Sequence, residues 1–258
     1  ETIHRFLGEP AQSKRSESSG WKKDDLYVST NATFAKLIQD ISIDIDPSHF
    51  IIEPARRDTG PAMGYVAAIL ELTDPDEPIA FIPSDHHILD IDIFRNSFRV
   101  AEQLIRDKGV LVDIGVRPTF PNIHLGYMKI GAKLDEVDNV SLYEFAGFKE
   151  KPDLATATKY VESGDYLWHA NYYMWTPRKF MEAFEKHAPK LGAQLRKIQR
   201  AYQAGKTDEI ATLYAAMEKI SIDYAIAEKL EKGTMQVIEA PFGWSDLGSW
   251  DMFYEELK

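Results

Sequence analysis

Between residues 26 and 116 the chain alternates strand-like and helix-like segments, and this alternation restricts its fold more than any other feature. The β-rich run 26–30 (LYVST) is followed by Asn31, a candidate N-cap, and by the amphipathic ATFAKLIQDI. Residues 49–54 predict a second strand. Residues 60–72 predict a helix, with Met63, Val66, Ala67, Ile69 and Leu70 at core-facing spacing. A strand at 79–83, a helix at 94–106 carrying Phe94, Phe98, Val100, Ala101 and Leu104, and a strand at 110–116 complete the series. Such alternation is the mark of an α/β fold, in which crossover helices join parallel strands.

After Pro118 the pattern changes. Strand-like runs follow at 124–130, 140–148 and 166–175, with a helix at 154–163. Several helices then extend from 177 to about 232, and a last strand covers 235–240. The polar stretch 12–25 reads as an exposed loop. No flexible linker or repeat divides the chain, so a single domain over 1–258 is expected, with a mixed or antiparallel extension to the parallel sheet.

Composition narrows the chemistry. No apolar run approaches the ~18–20 residues a membrane span needs, and the first residues lack the basic start and apolar core of a signal peptide. Without cysteine there is no disulfide framework and no thiolate metal site; a cytoplasmic location is expected. The net charge of −11 repels nucleic-acid backbones and anionic lipid, which argues against both as partners. A phosphorylated small substrate would therefore need a cation and a few local basic side chains.

Two acids mark where that cation would sit. In FIPSDHHILD an apolar run stops at Pro83 and leaves Asp85 at a strand's C-terminal edge, where open α/β sheets bind ligands. Asp246, in PFGWSDLGSW, directly follows the strand 235–240, and Gly243 and Gly248 permit a tight turn around it. Two carboxylates from two strand ends can share one Mg²⁺ and leave its other positions to phosphate and water. The competing reading is a pair of turn aspartates that cap helices. His86 and His87 are adjacent, so on an extended chain they point apart and do not share an ion.

The strings EPARRDTGPAMGYVAA, FIPSDHHI, FKEKPD, SIDYAIAEK and GWSDLGSW resemble the mannose-1-phosphate guanylyltransferases. These are sugar-nucleotide pyrophosphorylases with a GT-A-type nucleotidyltransferase fold, a mixed and mostly parallel sheet flanked by helices. The matches run from about Tyr27 to Trp250. The resemblance implies transfer of GMP from GTP to mannose 1-phosphate, giving GDP-mannose and pyrophosphate, with Mg²⁺. It implies Asp85 and Asp246 as metal ligands, joined in catalysis by Lys151. It also implies nucleotide contacts from Glu53, Arg56, Arg57, Asp58 and Thr59, and from Pro83, Ser84 and His86 of the PSDH turn. Gly126, Tyr127, Glu150, Lys151, His169 and Asn171 would bind the sugar phosphate, within a part spanning about 118–232.

The residue types suit these roles. A carboxylate bridges vicinal hydroxyls, and an ammonium offers a compact charge to phosphate. Pro152 would fix the exit into a helix starting near Asp153. Thr59 and Gly60 would cap the helix that follows them and present N–H groups to a ligand. The plainer alternatives are a solvated pair for Arg56 and Arg57 and an acidic–basic strand end for FKEKPD. SIDYAIAEK is expected to build core around Ile222, Tyr224 and Ala225, with Asp223 structural at a helix start.

The chain departs from the family at several places. The glycine-rich loop that opens the family, G-G-x-G-T-R-L-W-P, has no match in residues 1–25, so the chain reads as N-terminally incomplete and a poor catalyst by itself. The family's C-terminal β-helix domain also has no counterpart. Where the family has W-N-S-G this chain has Trp168, His169, Ala170 and Asn171, so the sugar-contacting asparagine is replaced by His169 or displaced to Asn171. His124 stands at a family glycine. Two alternatives remain open: a catalytically silent nucleotide- or sugar-phosphate-binding homologue, and a pyrophosphorylase for another hexose 1-phosphate. Homo-oligomer formation is open as well.

Overall fold

The computed structural model describes residues 2–7, 21–41, 45–137 and 140–246. Part of the polar loop at 12–25, and Gly248 and Trp250, lie outside the described residues. In chain order the elements begin with α1 (Thr2–Leu7), β1 (Val28–Asn31), α2 (Ala32–Ile41), β2 (Phe50–Glu53), α3 (Thr59–Leu70), β3 (Ile79–Ala80) and β4 (His87–Ile88). Then come α4 (Ile91–Lys108), β5 (Leu111–Val116), β6 (Tyr127–Val137), β7 (Val140–Lys149), α5 (Leu154–Ser163), β8 (Tyr166–His169) and β9 (Met174–Trp175). The last are α6 (Pro177–His187), α7 (Pro189–Gln203), α8 (Thr207–Ala215), α9 (Ile222–Ala225), β10 (Met235–Glu239) and β11 (Trp244–Ser245). The chain packs as two compact units, one of residues 3–77 and 176–226, the other of 78–175 and 227–258. The part expected at 118–232 is divided between them.

In the first unit β1 and β2 pair in parallel, from Val28 opposite Phe50 to Asn31 opposite Glu53. Asn31 caps α2 as its sequence suggests, its Oδ1 accepting from the N–H groups of Thr33 (3.0 Å) and Phe34 (3.2 Å). Helix α3 is buried almost all round because it packs on both α6 and α7. Its Gly64 makes room: a Cβ there would stand 2.6 Å from Leu195 Cδ1. At the start of α9, Ile222 and Ala225 are core as expected, and Asp223 is buried in the first turn. Tyr224 is a correction. It is 46% exposed, because a single helical turn buries one side and Tyr224 falls on the other.

The second unit is built on a seven-stranded sheet in the order β10-β7-β6-β8-β5-β9-β3. The class is α/β with a mixed central sheet and flanking helices, as expected. Parallel pairing occurs at β1–β2 and at β5–β10. The other pairs of the large sheet are antiparallel. Consecutive strands such as β6 and β7 have no room for the crossover that parallel pairing requires. The strand expected at 79–83 pairs at Ile79 and Ala80, and Phe81 N–H still donates to the Tyr173 carbonyl at 2.9 Å; Pro83 lacks an N–H with which to continue the ladder. The run 166–175 forms two strands, split at 170–173, where Asn171 adopts a left-handed φ of 59°. Asp90 caps α4 through the Ile93 N–H at 3.0 Å, and Gly109 ends it in the left-handed region. Among the described residues no helix is long and apolar enough to cross a membrane.

Candidate active site

One corner of the second unit is made by β4 and β11. They pair antiparallel, with Trp244 opposite Ile88 and Ser245 opposite His87. The turn into β11 is pinned by Leu89 N–H donating to the carbonyls of Phe242 and Gly243, both at 3.1 Å, and by Asp90 N–H donating to Phe242 at 3.0 Å. Gly243 has a φ of 64°, and a Cβ on it would lie 2.7 Å from the Leu89 side chain, so the turn requires glycine. Continued by one residue, the register sets Asp246 across from His86, with Asp85 next in the chain. Ser84 and Asp85 lie exposed in the turn after Pro83, and Asp246 is half-buried. The cap of α4 is Asp90, which frees Asp85 from the capping role of the competing reading.

Asp85 and Asp246 are the two acids expected to hold Mg²⁺. Among the described residues no group of three or more His, Cys, Asp or Glu side chains is arranged around a metal position. A pair of carboxylates is not a closed cage of the kind zinc takes. It suits a hard cation that keeps most of its shell for water and phosphate oxygens.

His86 is buried beneath this corner. Its Nδ1 accepts the indole N–H of Trp244 at 3.0 Å and lies 2.8 Å from the Tyr172 hydroxyl. Its ring meets Trp244 and Tyr172 edge-on, and Phe94, Phe98 and Phe242 extend the aromatic cluster. Tyr172 is the neighbour of Asn171, so the same contact ties the PSDH turn to the segment 170–173.

A second group gathers around Gly126. A Cβ on Gly126 would stand 2.6 Å from Glu150 Oε2 and 2.8 Å from Phe148 Cζ, so only glycine admits the carboxylate here. Glu150 Oε1 pairs with Lys151 Nζ at 2.9 Å. The backbone N–H of Glu150 donates to Glu228 Oε1 at 3.1 Å, and Lys149 Nζ donates to the same oxygen at 3.2 Å. Asp153 caps α5 through the Thr156 N–H at 2.8 Å, after the exit that Pro152 directs. Lys151 takes a φ of 43°. Among the described residues the non-glycine positions with left-handed φ are Asp58, Lys151 and Asn171, and the sequence singles out all three as site residues. Backbone strain of about 1–3 kcal/mol per residue persists where surrounding structure enforces it, and such places are often functional.

Two residues expected on the sugar, Tyr127 and His169, are buried, as is Glu150. Tyr127 is fully buried, and its hydroxyl is engaged by the backbone of Asn122, accepting from N–H at 2.9 Å and donating to the carbonyl at 3.0 Å. His169 is 1% exposed, with Nε2 2.7 Å from Asp113 Oδ2 and its ring edge-on to Phe148 and Tyr173. Asn171 is exposed. The sequence reading missed Asp113. It is 0% exposed in the middle of β5, and its Oδ1 accepts the Ile114 N–H at 2.7 Å. The signal was there: one carboxylate inside the apolar run VLVDIGV needs a buried partner.

The stretch Glu53–Thr59 belongs to the first unit. Glu53 is partly buried, which raises its carboxyl above the ordinary range; the Tyr214 hydroxyl, donating to Oε2 at 3.0 Å, and the nearby Arg56 pull it back only in part. Arg56 is exposed, whereas the Arg57 guanidinium donates to the Ala215 carbonyl. The helix cap differs from expectation. Asp58 caps α3, accepting the Thr59 N–H at 2.8 Å, while Gly60 N–H donates to the Ile220 carbonyl at 3.0 Å. The Thr59 hydroxyl accepts from Ile222 N–H at 3.0 Å. These N–H groups are therefore used within the unit.

The mixed sheet with flanking helices is that of a GT-A-type nucleotidyltransferase fold. The chain belongs to the nucleotidyl transferase family, whose profile matches residues 21–258. It is 33% identical over 211 residues to the xanthan biosynthesis protein XanB of Xanthomonas campestris, covering 80% of this chain and 43% of that protein. It is also 33% identical over 213 residues to the mannose-1-phosphate guanylyltransferase ManC of Salmonella typhimurium, with the same coverage of 80% and 43%. The chain thus spans less than half the length of these relatives. Among solved structures it superposes on a mannose-1-phosphate geranyltransferase from Thermus thermophilus with a TM-score of 0.73 and 27% identity, covering 87% of this chain and 63% of that one.

Proposed function

We propose that the protein transfers GMP from GTP to mannose 1-phosphate, releasing pyrophosphate. The observation that carries this reading is the β4–β11 register, which draws Asp246 to the PSDH turn although the two are far apart in sequence. Family membership and the mannose-1-phosphate guanylyltransferase among the relatives support the substrate choice.

In this reading an oxygen of the sugar phosphate attacks the α-phosphorus of GTP in line, a new P–O bond forms, and the bond to pyrophosphate breaks. The nucleophile is already an anion, so no general base is needed, and catalysis rests on positioning and charge neutralisation. Asp85 and Asp246 would hold Mg²⁺, which supplies positive charge to phosphate oxygens when bound. Glu150 would accept hydrogen bonds from sugar hydroxyls, Lys151 would neutralise phosphate charge, and Asn171 would reach the sugar from its exposed turn. Pro83 and Ser84 would border the nucleotide phosphates, with the buried His86 supporting their turn from beneath, and Glu53, Arg56, Arg57, Asp58 and Thr59 would contact guanine and ribose.

Calorimetric titration of GTP with and without Mg²⁺ tests the reading. Asp246→Asn should remove the Mg²⁺-dependent part of GTP binding; an unchanged metal dependence would take Asp246 out of the site.

A further inference from the structure

The hydrogen bonds around His86 fix more than its burial. An indole N–H can only donate. Since Trp244 Nε1 lies 3.0 Å from His86 Nδ1, that nitrogen must present its lone pair, and a proton there would set donor against donor. With Nδ1 accepting from Trp244, the ring carries its N–H at Nε2, an assignment that follows from the bonding pattern. The Tyr172 hydroxyl, 2.8 Å from the same Nδ1, shares that single lone pair with Trp244 when it donates.

The geometry of the ladder gives the bond its leverage. Trp244 faces Ile88 directly, so His86 is its diagonal neighbour on the same face, within reach of a large side chain. His86 adjoins Asp85, and Trp244 lies two residues before Asp246. The bond thus joins the two short chain segments that carry the acids. The ladder itself is only two residues long on each strand, and the Leu89 and Asp90 bonds to Phe242 and Gly243 secure it at the end away from the two acids. The cluster beneath it is firm: Phe94, Tyr172 and Phe242 are fully buried and pack edge-on.

We propose that the Trp244–His86 hydrogen bond is the brace that holds the Asp85 and Asp246 turns at the spacing one divalent cation requires. Trp244 and His86 are thereby positioning residues for the cation site. The proposal rests on the metal role given above to the two aspartates, and its test separates the two ideas.

Mn²⁺ titrated into the full-length polypeptide and followed by electron paramagnetic resonance reads the site without turnover. Asp246→Asn serves as the control for the metal role itself. If that variant binds Mn²⁺ as the wild type does, the metal reading fails, and the brace fails with it as a positioning device. If Asp246→Asn abolishes binding, the brace predicts that Trp244→Phe, which keeps the ring and loses the N–H, weakens Mn²⁺ affinity about three- to tenfold, the range expected for one buried hydrogen bond. Wild-type affinity in Trp244→Phe overturns it.

Two variants of His86 separate bracing from bulk. Asn places its amide oxygen near the Nδ1 position and keeps an acceptor for Trp244, whereas Gln fills more of the volume but carries its polar atoms near Nε2. The brace predicts that His86→Asn retains Mn²⁺ affinity and His86→Gln loses it; the reverse order, which filling of space predicts, overturns it. A long-range ¹⁵N–¹H spectrum of the wild type should show His86 with its proton on Nε2, and a proton on Nδ1 contradicts the proposal directly.

Discussion

Gly126→Ala isolates the sugar-phosphate group from the rest of the protein. The added Cβ would sit 2.6 Å from Glu150 Oε2 and 2.8 Å from Phe148 Cζ. Carbon–oxygen contacts are ordinarily about 3.3–3.6 Å, so the carboxylate must retreat by roughly 0.7–1.0 Å. A shift of that size takes Glu150 out of hydrogen-bond range of a sugar hydroxyl and disturbs its 2.9 Å contact with Lys151. Hydrogen bonds to charged groups contribute about 1.5–3 kcal/mol, so the KM for the sugar phosphate should rise roughly 10- to 150-fold. Overpacking adds a stability cost of about 1–3 kcal/mol. Steady-state pyrophosphate release, with each substrate varied in turn, separates the effects: the KM for GTP should change less than about twofold, a small effect because the altered contact does not involve the nucleotide. A folded Gly126→Ala protein with an unchanged sugar-phosphate KM would refute the placement of Glu150 on the sugar.

Asp113→Ala removes one partner of a fully buried pair and also orphans the Ile114 N–H, so denaturant unfolding should show a loss of about 3–5 kcal/mol. Glu53→Gln should stabilise the first unit at neutral pH while weakening nucleotide binding. A carboxyl whose pKa is raised on folding binds its proton more readily in the folded state, so its ionisation opposes folding above both pKa values. That opposition fades as pH falls through the folded pKa. The difference in melting temperature between Glu53→Gln and wild type should therefore shrink on acidification, and a gap that widens instead contradicts the burial argument.

Local patterning carried most of the fold. Asn31 and Asp153 cap their helices, the helix read at 154–163 matches Leu154–Ser163, and the two motifs that carry Asp85 and Asp246 lie beside strands that pair, with Ser245 opposite His87. What was not legible depends on partners distant in sequence. Periodicity shows that 166–175 is extended but cannot show that the left-handed turn at Asn171 breaks it in two. The family resemblance places Tyr127 and His169 on the sugar by position; only the packing reveals that Asn122 and Asp113 engage them. The cap of α3 was misplaced by one residue because Asp58 takes a positive φ, which a motif does not display.

The most direct test of the central claim is product formation by the full-length polypeptide supplied with GTP, mannose 1-phosphate and Mg²⁺. GDP-mannose and pyrophosphate should appear in equal amounts and only with the metal, and Asp85→Asn should suppress both. No pyrophosphate from GTP, UTP, ATP or dTTP with any common hexose 1-phosphate would contradict the account and leave a binding protein in place of a transferase.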